Sequence, residues 1–143
     1  MTLTNPLDEA VARALQSCRT IAVVGLSNRE SRASNDVARY MQAQGYRIVP
    51  VNPLLTQVLG QRCYAQLADI PFAVDMVNVF RRPEELPPIA EQAVQMGAKC
   101  LWQQLGIANE EAAQTALAAG LLSVMDRCLM IEHRRWASTL PRL

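Results

Sequence analysis

The stretch Thr20-Ile-Ala-Val-Val-Gly-Leu-Ser-Asn-Arg-Glu-Ser-Arg-Ala-Ser-Asn-Asp-Val-Ala-Arg-Tyr-Met41 decides the fold of this chain. It opens with a short apolar run, Ile21 to Val24, that is rich in β-branched residues, and Gly25 ends the run. A polar loop follows, and from about Ser34 the apolar side chains recur with helical spacing. A strand, a glycine turn and a helix in this order predict the opening of a βαβ unit.

The rest of the chain alternates between strand-like and helix-like segments. Helices are predicted after the Asn5-Pro6 pair, from about Pro83 to Met96, and after Asn109. Further strands are predicted at Tyr46–Val51, Val74–Phe80, Ala98–Gln103 and Leu121–Met125, with a short extended piece at Gly60–Tyr64. The tail from Ile131 is polar, and we predict that it lies on the surface together with His133.

This alternation predicts an α/β fold, a Rossmann-like open parallel sheet of about five strands with helices on both faces. Right-handed crossovers favour a strand order of roughly 3-2-1-4-5, and a flavodoxin-like order is the alternative. The length of 143 residues suits a single domain over residues 1–143. Because such sheets bind ligands beyond the carboxyl ends of their strands, the loop after Gly25 lies at the predicted site.

Charge and cysteine usage exclude several classes of protein. The formal net charge is +1 and aromatic residues make up 5% of the chain, whereas a nucleic-acid-binding domain has a basic excess. No apolar run approaches the roughly 18 residues of a membrane span. The cysteines Cys18, Cys63, Cys100 and Cys128 form no CxxC pair and His133 is the only histidine, so no metal site is predicted. Free thiols favour a reducing cytoplasm.

The loop from Gly25 to Ala33 has the composition of an anion site. It carries two serines, Ser27 and Ser31, and two arginines, Arg29 and Arg32, and it ends at a predicted helix start. Helix N-termini present free N–H groups and the positive end of the helix dipole, and both attract anions. The loop therefore favours a ligand that carries phosphate groups.

Two common nucleotide-binding signatures are missing from the chain. The fingerprint G-x-G-x-x-G would need glycines where this sequence has Gly25, Ser27 and Glu30. It would also need an acid for the ribose hydroxyls at the end of the second strand, and that place holds Val51-Asn52-Pro53. The P-loop GxxxxGK[ST] is absent as well. The loop thus suits a phosphate-rich ligand without the ribose clamp of NAD enzymes.

Five segments carry a more specific pattern when they are taken together and in order: Ala22–Ser27, Ala38–Met41 with Gly45–Pro53, Val74–Arg81, Gly97–Ile107 and Val124–Cys128. In this order they resemble the small, single-domain CoA-binding proteins of the YccU-like group. That group is related in fold to the CoA-binding domain of the succinyl-CoA synthetase α subunit. The resemblance covers about Thr20 to His133. The family often has alanine and proline where this chain has Leu26 and Ala33.

The resemblance implies that coenzyme A lies across the strand ends in three parts. Its phosphates would meet the loop residues Gly25, Leu26, Ser27, Arg29, Arg32 and Ser34. Its adenosine part would meet two strand ends, Val51, Asn52 and Pro53 on one and Phe80 and Arg81 on the other. Its pantetheine arm would run towards Gln103, Gln104 and Gly106.

These observations favour a cytoplasmic module that binds CoA or acyl-CoA without catalysis. No carboxylate pair or Ser/His/Asp set is evident, and the phosphorylated-histidine domain of the synthetase has no counterpart here. Cys128 stands at a strand end, where its thiol could face the pantetheine thiol, although a buried small hydrophobe is the simpler role, and Trp102 is expected in the core. The alternatives are an NAD(P)-linked Rossmann oxidoreductase and a regulatory or scaffold subunit that binds a protein partner. Homodimer formation is left open.

Overall fold

A parallel five-stranded sheet carries the fold, and helices pack on both of its faces. The structure is a computed structural model that describes residues 5–140. Its helices are α1 (Pro6–Ser17), α2 (Ala33–Ala43), α3 (Leu86–Gln95), α4 (Glu110–Ala118) and α5 (Leu129–Trp136). Its strands are β1 (Thr20–Val24), β2 (Arg47–Val51), β3 (Gln57–Val58), β4 (Gln61–Arg62), β5 (Met76–Val79), β6 (Cys100–Gln103) and β7 (Leu122–Val124). The predicted Rossmann-like α/β class is confirmed.

The strand order differs from the favoured prediction. The sheet runs β2-β1-β5-β6-β7, which is the flavodoxin-like order 2-1-3-4-5 for its five strands, so the expected order 3-2-1-4-5 is wrong. Among the described residues, only one parallel bridge, between Val51 and Tyr64, extends the sheet beyond β2. Pro50 explains why: its carbonyl accepts from the Tyr64 N–H at 3.0 Å on this outer edge, but a proline has no N–H to donate there.

The sheet separates two apolar layers. In one layer, α1, α2 and α5 pack against strand residues such as Ile21, Met76 and Trp102. The other packs α3 and α4 through small residues, among them Ala90 and Ala116, against the opposite face. Trp102 is fully buried, as predicted, and its indole N–H donates to the Arg127 carbonyl at 2.8 Å. Within the described range, no helix combines the length and the apolar character that crossing a membrane requires.

Local capping signals set several element ends. The side chains of Asn5 and Asn109 cap α1 and α4 by accepting hydrogen bonds from the N–H groups of Leu7 at 2.8 Å and Ala112 at 2.9 Å.

The extended piece predicted at Gly60–Tyr64 contains β4, but its partner β3 was not predicted. The two strands form a hairpin of their own, separate from the main sheet.

The polar segment from Ile131 to Leu140 exposes six of its ten residues, as predicted, but it also contributes to the core. Residues Leu129–Trp136 form helix α5, which buries Leu129, Glu132, His133 and Trp136 at helical spacing, so the surface placement of His133 is wrong. His133 Nδ1 lies 2.8 Å from the Tyr40 hydroxyl of α2. The polar residues masked the helical period, because Glu132 and His133 occupy positions that an apolar stripe would fill.

Candidate functional site

A cleft opens at the carboxyl ends of β1 and β5. From β1 the chain crosses to β2 on one side and then to β5 on the other, so the connections diverge at this point. The register aligns Val24 with Val51 and Val79, which brings the residues that follow these three strands to one edge of the sheet. Ligands of open α/β sheets bind at such a switch point.

Gly25 lies at the centre of this edge, where two strand ends approach closely. Its φ is +88°, and a Cβ atom added there would lie 2.4 Å from the Phe80 carbonyl oxygen and 3.0 Å from Arg81 Cδ. Its own N–H donates to the Val51 carbonyl at 2.8 Å. Glycine is needed both for the backbone conformation and for the contact with the β5 end.

One lobe of the cleft is polar and lies over the loop between β1 and α2. It has a volume of about 390 Å³ and is lined by Gly25, Ser27, Arg29, Arg32, Ala33, Ser34 and Phe80. Except for Ala33, all of these lining residues were predicted as ligand contacts. The guanidinium groups of Arg29 and Arg32 form no ion pair within residues 5–140. They are therefore available to an anionic ligand.

Hydrogen bonds within the loop hold this lobe open. The Ser27 N–H donates to Ser34 Oγ at 3.0 Å, and the Arg29 N–H donates to Ser27 Oγ at 3.1 Å. The buried side chain of Asn35 donates to the Ser27 carbonyl at 2.9 Å. At the start of α2 the N–H groups of Asn35 and Asp36 both donate to the Arg32 carbonyl at 3.1 Å, whereas those of Ala33 and Ser34 have no acceptor within residues 5–140 and add donors to the lobe.

The second lobe is mostly apolar and lies between the strand ends and α3. Its volume is about 470 Å³. Its walls include Val24, Gly25, Val51, Pro53, Leu67 and Ile89, and polar groups of Gln66, Arg81, Glu84, Glu85 and Gln92 stand among them. Since Gly25 lines both lobes, one extended ligand can occupy both. The apolar walls of the second lobe, with polar groups among them, suit a heteroaromatic ring.

Asn52 closes the corner at the end of β2. Its Nδ2 donates to the Leu26 carbonyl at 3.1 Å, and its Oδ1 accepts the Leu54 N–H at 2.9 Å. Both ends of the amide are thus committed to the two loops that flank the cleft. Asn52 shapes the cleft, and Pro53 lines it.

Arg81 is the cation that stands between the lobes, and it is already paired. Its Nη2 donates to Glu85 Oε1 at 3.0 Å, while Glu85 Oε2 accepts from the N–H and Nε of Arg82 at 3.2 and 3.3 Å. Burial pushes the pKa of Glu85 upward, but the hydrogen bond from Arg82 and the charge of Arg81 outweigh it and hold that pKa below its usual value. Glu85 is therefore a carboxylate at neutral pH.

Five residues predicted as ligand contacts line neither lobe: Asn52, which shapes the corner at the end of β2, and Leu26, Gln103, Gln104 and Gly106. Leu26 is fully buried in the core, and only its carbonyl faces the cleft loops. Gln103 is fully buried and exchanges two hydrogen bonds with the Asn109 backbone. Gln104 Oε1 accepts from Asn78 and from the Leu129 N–H, both at 3.3 Å, and the Gly106 N–H donates to Asp126 at 2.7 Å. The side-chain oxygens of both glutamines are thus engaged within the protein.

The wall of the apolar lobe that α3 supplies was not predicted. Glu85, Ile89 and Gln92 recur with spacings of four and three residues, so they lie on one face of the segment that leads into and along α3. This spacing was visible in the sequence, but nothing local shows that the face turns towards the strand ends. In residues 5–140 no group of three or more His, Cys, Asp or Glu side chains is arranged to hold a metal ion.

Fold and cleft define a Rossmann-like α/β domain whose main cleft spans two neighbouring strand ends. Residues 19–134 match the family described as the CoA binding domain, and the chain belongs to that family. The resemblance found in the sequence is thereby confirmed.

Relatives of similar size cover almost the whole chain. The uncharacterized protein YneT of Bacillus subtilis is 42% identical over 129 residues, which are 90% of this chain and 96% of that protein. The solved structure of a hypothetical protein from Pyrococcus horikoshii OT3 has a TM-score of 0.86 at 39% identity and covers 94% of this chain and 98% of that one. An ADP-forming acetate–CoA ligase II of Archaeoglobus fulgidus is 28% identical over 83 residues, which are 57% of this chain and 12% of that enzyme.

Proposed function

We propose that this chain binds coenzyme A, free or acylated, across the two lobes of the cleft. The observation that carries the proposal is the pairing of an arginine- and serine-lined lobe with an apolar lobe, joined at Gly25. CoA has the matching halves, a phosphate-rich part and a purine base. Membership of the CoA binding domain family supports the same ligand.

The polar lobe supplies what phosphate groups need. Arg29 and Arg32 can each donate two parallel hydrogen bonds to phosphate oxygens, and the serines and helix amides add neutral donors. The adenosine part would then fill the apolar lobe between Val51-Asn52-Pro53 and Arg81. The pantetheine arm would pass over the end of β6, where Leu105 and Gly106 are exposed.

An NAD(P)-linked oxidoreductase fits this cleft less well. Such enzymes hold the adenosine ribose with an acid at the end of the second strand. Here Asn52 stands at that place, and its amide is consumed by Leu26 and Leu54. We therefore propose a binding role without catalysis, in the cytoplasm, with CoA as the partner and no nucleic acid or membrane. Self-association into a homodimer would be compatible with it.

Thermal unfolding with CoA and with NAD at equal concentration tests the ligand class. A ligand at about one hundred times its Kd stabilises the native state by about 2.7 kcal/mol, which raises Tm by roughly 5–10 °C. We expect this rise for CoA and none for NAD. Native mass spectrometry of the purified protein should show a CoA adduct. Stronger stabilisation by NAD would refute the proposal.

A further inference from the structure

The two carboxylate oxygens of Glu85 accept hydrogen bonds from different residues, Oε1 from Arg81 and Oε2 from Arg82. Oε2 is held by the Arg82 backbone N–H at 3.2 Å, and the Glu85 N–H donates back to the Arg82 carbonyl at 2.9 Å. This reciprocal pair closes the 3-10 turn Pro83–Glu85 and fixes the carboxylate on the backbone. The other oxygen, Oε1, is thereby left facing Arg81.

Arg81 lines the apolar lobe and lies beside Gly25, where the two lobes meet. Its Cδ is 3.0 Å from the place of a Cβ on Gly25, and Gly25 lines both lobes. Only Nη2 makes a side-chain hydrogen bond within residues 5–140, and its acceptor is Glu85 Oε1 at 3.0 Å. A guanidinium has five N–H donors, so most of them stay free while the side chain is held in one direction.

We infer that Glu85 is a positioning residue that orients Arg81 over the junction before the ligand arrives. The inference rests on the proposed function, because the group that Arg81 would meet is a phosphate of CoA. A carboxylate beside an anion site repels the anion, so its presence is unfavourable by charge alone. Its benefit is that Arg81 no longer has to be ordered when the ligand binds.

Glu84 offers a matched control for this inference. It lines the same lobe and carries the same charge, but within residues 5–140 its carboxylate forms an ion pair only with Arg82, at 3.6 Å, and none with Arg81. Glu84→Gln therefore removes the repulsion and the long ion pair with Arg82, but it leaves the pairing of Arg81 with Glu85 in place. Glu85→Gln removes the repulsion and the pairing with Arg81, while a glutamine still accepts the Arg82 N–H and keeps the turn.

The experiment measures CoA affinity by titration calorimetry for the wild-type chain and both variants. We expect Glu84→Gln to bind as tightly as the wild type or more tightly, and Glu85→Gln to bind about 2- to 10-fold more weakly than Glu84→Gln. In an Arg81→Met background the two variants should differ by less than about 2-fold, since no guanidinium remains to be oriented. Circular dichroism confirms that all variants are folded.

The outcomes separate the two proposals. If the wild-type chain binds CoA and Glu85→Gln binds as well as Glu84→Gln, the positioning role is refuted and the proposed function stands. A difference that persists without Arg81 would also refute it, because the effect would then act through another group. If the wild-type chain does not bind CoA, the proposed function fails, and the positioning role fails with it.

Discussion

Replacing Gly25 with alanine should damage both the fold and the cleft. The residue has a φ of +88°, and forcing an L-residue into the left-handed region costs about 1–2 kcal/mol. The new Cβ would also lie 2.4 Å from the Phe80 carbonyl oxygen, a backbone atom that moves only if β5 shifts. Overpacking of this kind adds about 1–3 kcal/mol. We therefore expect Gly25→Ala to lower the free energy of unfolding by about 2–5 kcal/mol.

Gly120 provides the control for this prediction. Its φ is +86°, close to that of Gly25, but a Cβ added there would meet nothing within 4 Å. Gly120→Ala should therefore cost only the backbone strain of about 1–2 kcal/mol. Urea unfolding, followed by the fluorescence of the buried Trp102 and Trp136, measures both variants. Equal losses in the two variants would refute the close approach of the β1 and β5 ends.

Three further predictions concern the cleft and the terminal helix. Arg29→Ala and Arg81→Ala should each weaken CoA binding roughly ten- to hundredfold, since a hydrogen bond to a charged group contributes about 1.5–3 kcal/mol. Calorimetry with CoA and dephospho-CoA shows whether each arginine contacts the 3′-phosphate. Unchanged affinity in both variants would contradict the placement of the phosphates at the loop between β1 and α2. Burial lowers the pKa of His133 below 6.5, so the unfolded chain binds its proton more readily, and stability should fall as the pH drops below about 6.5. His133→Gln should remove that part of the slope in urea unfolding at pH 7 and pH 5.5, and an unaltered slope would contradict the buried position. Cys128 is buried at the N-cap of α5. If the pantetheine end of CoA reaches its thiol, oxidising conditions should trap CoA there as a mixed disulfide. Intact-mass analysis that finds the adduct on Cys18, Cys63 or Cys100 instead would exclude this position of the pantetheine end.

The parts of the fold that local chemistry determines could be predicted from the sequence. The run that ends at Gly25 forms β1, and Asn5 and Asn109 cap helices as expected, because capping depends on residues two or three positions away. The polar lobe follows directly from the composition of the loop that begins at Gly25. These features need no knowledge of the distant chain.

The features that could not be predicted depend on partners far away in the sequence. His133 is buried because α2 brings Tyr40 to it, 93 positions away, and no local pattern announces that contact. Tyr64 lies beside β2 because the Pro50 carbonyl points to the outer edge of that strand and accepts the Tyr64 N–H, and the sequence does not show which way this carbonyl points. Asn78 donates to Gln104 Oε1 from 26 positions away, a contact that no local pattern indicates, and the implied ligand contacts of Gln103 and Gln104 stay a prediction.

The distribution of charge around the cleft sets how a ligand can enter. The chain as a whole carries a net charge of only +1, so long-range attraction supplies little binding energy and local groups must supply it. Within residues 5–140 the lining of the polar lobe includes Arg29 and Arg32 and no carboxylate, whereas the lining of the apolar lobe includes Glu84 and Glu85 beside Arg81. A ligand with phosphates at one end and an uncharged ring at the other is therefore favoured in one orientation, because reversing it would place the phosphates against the carboxylates.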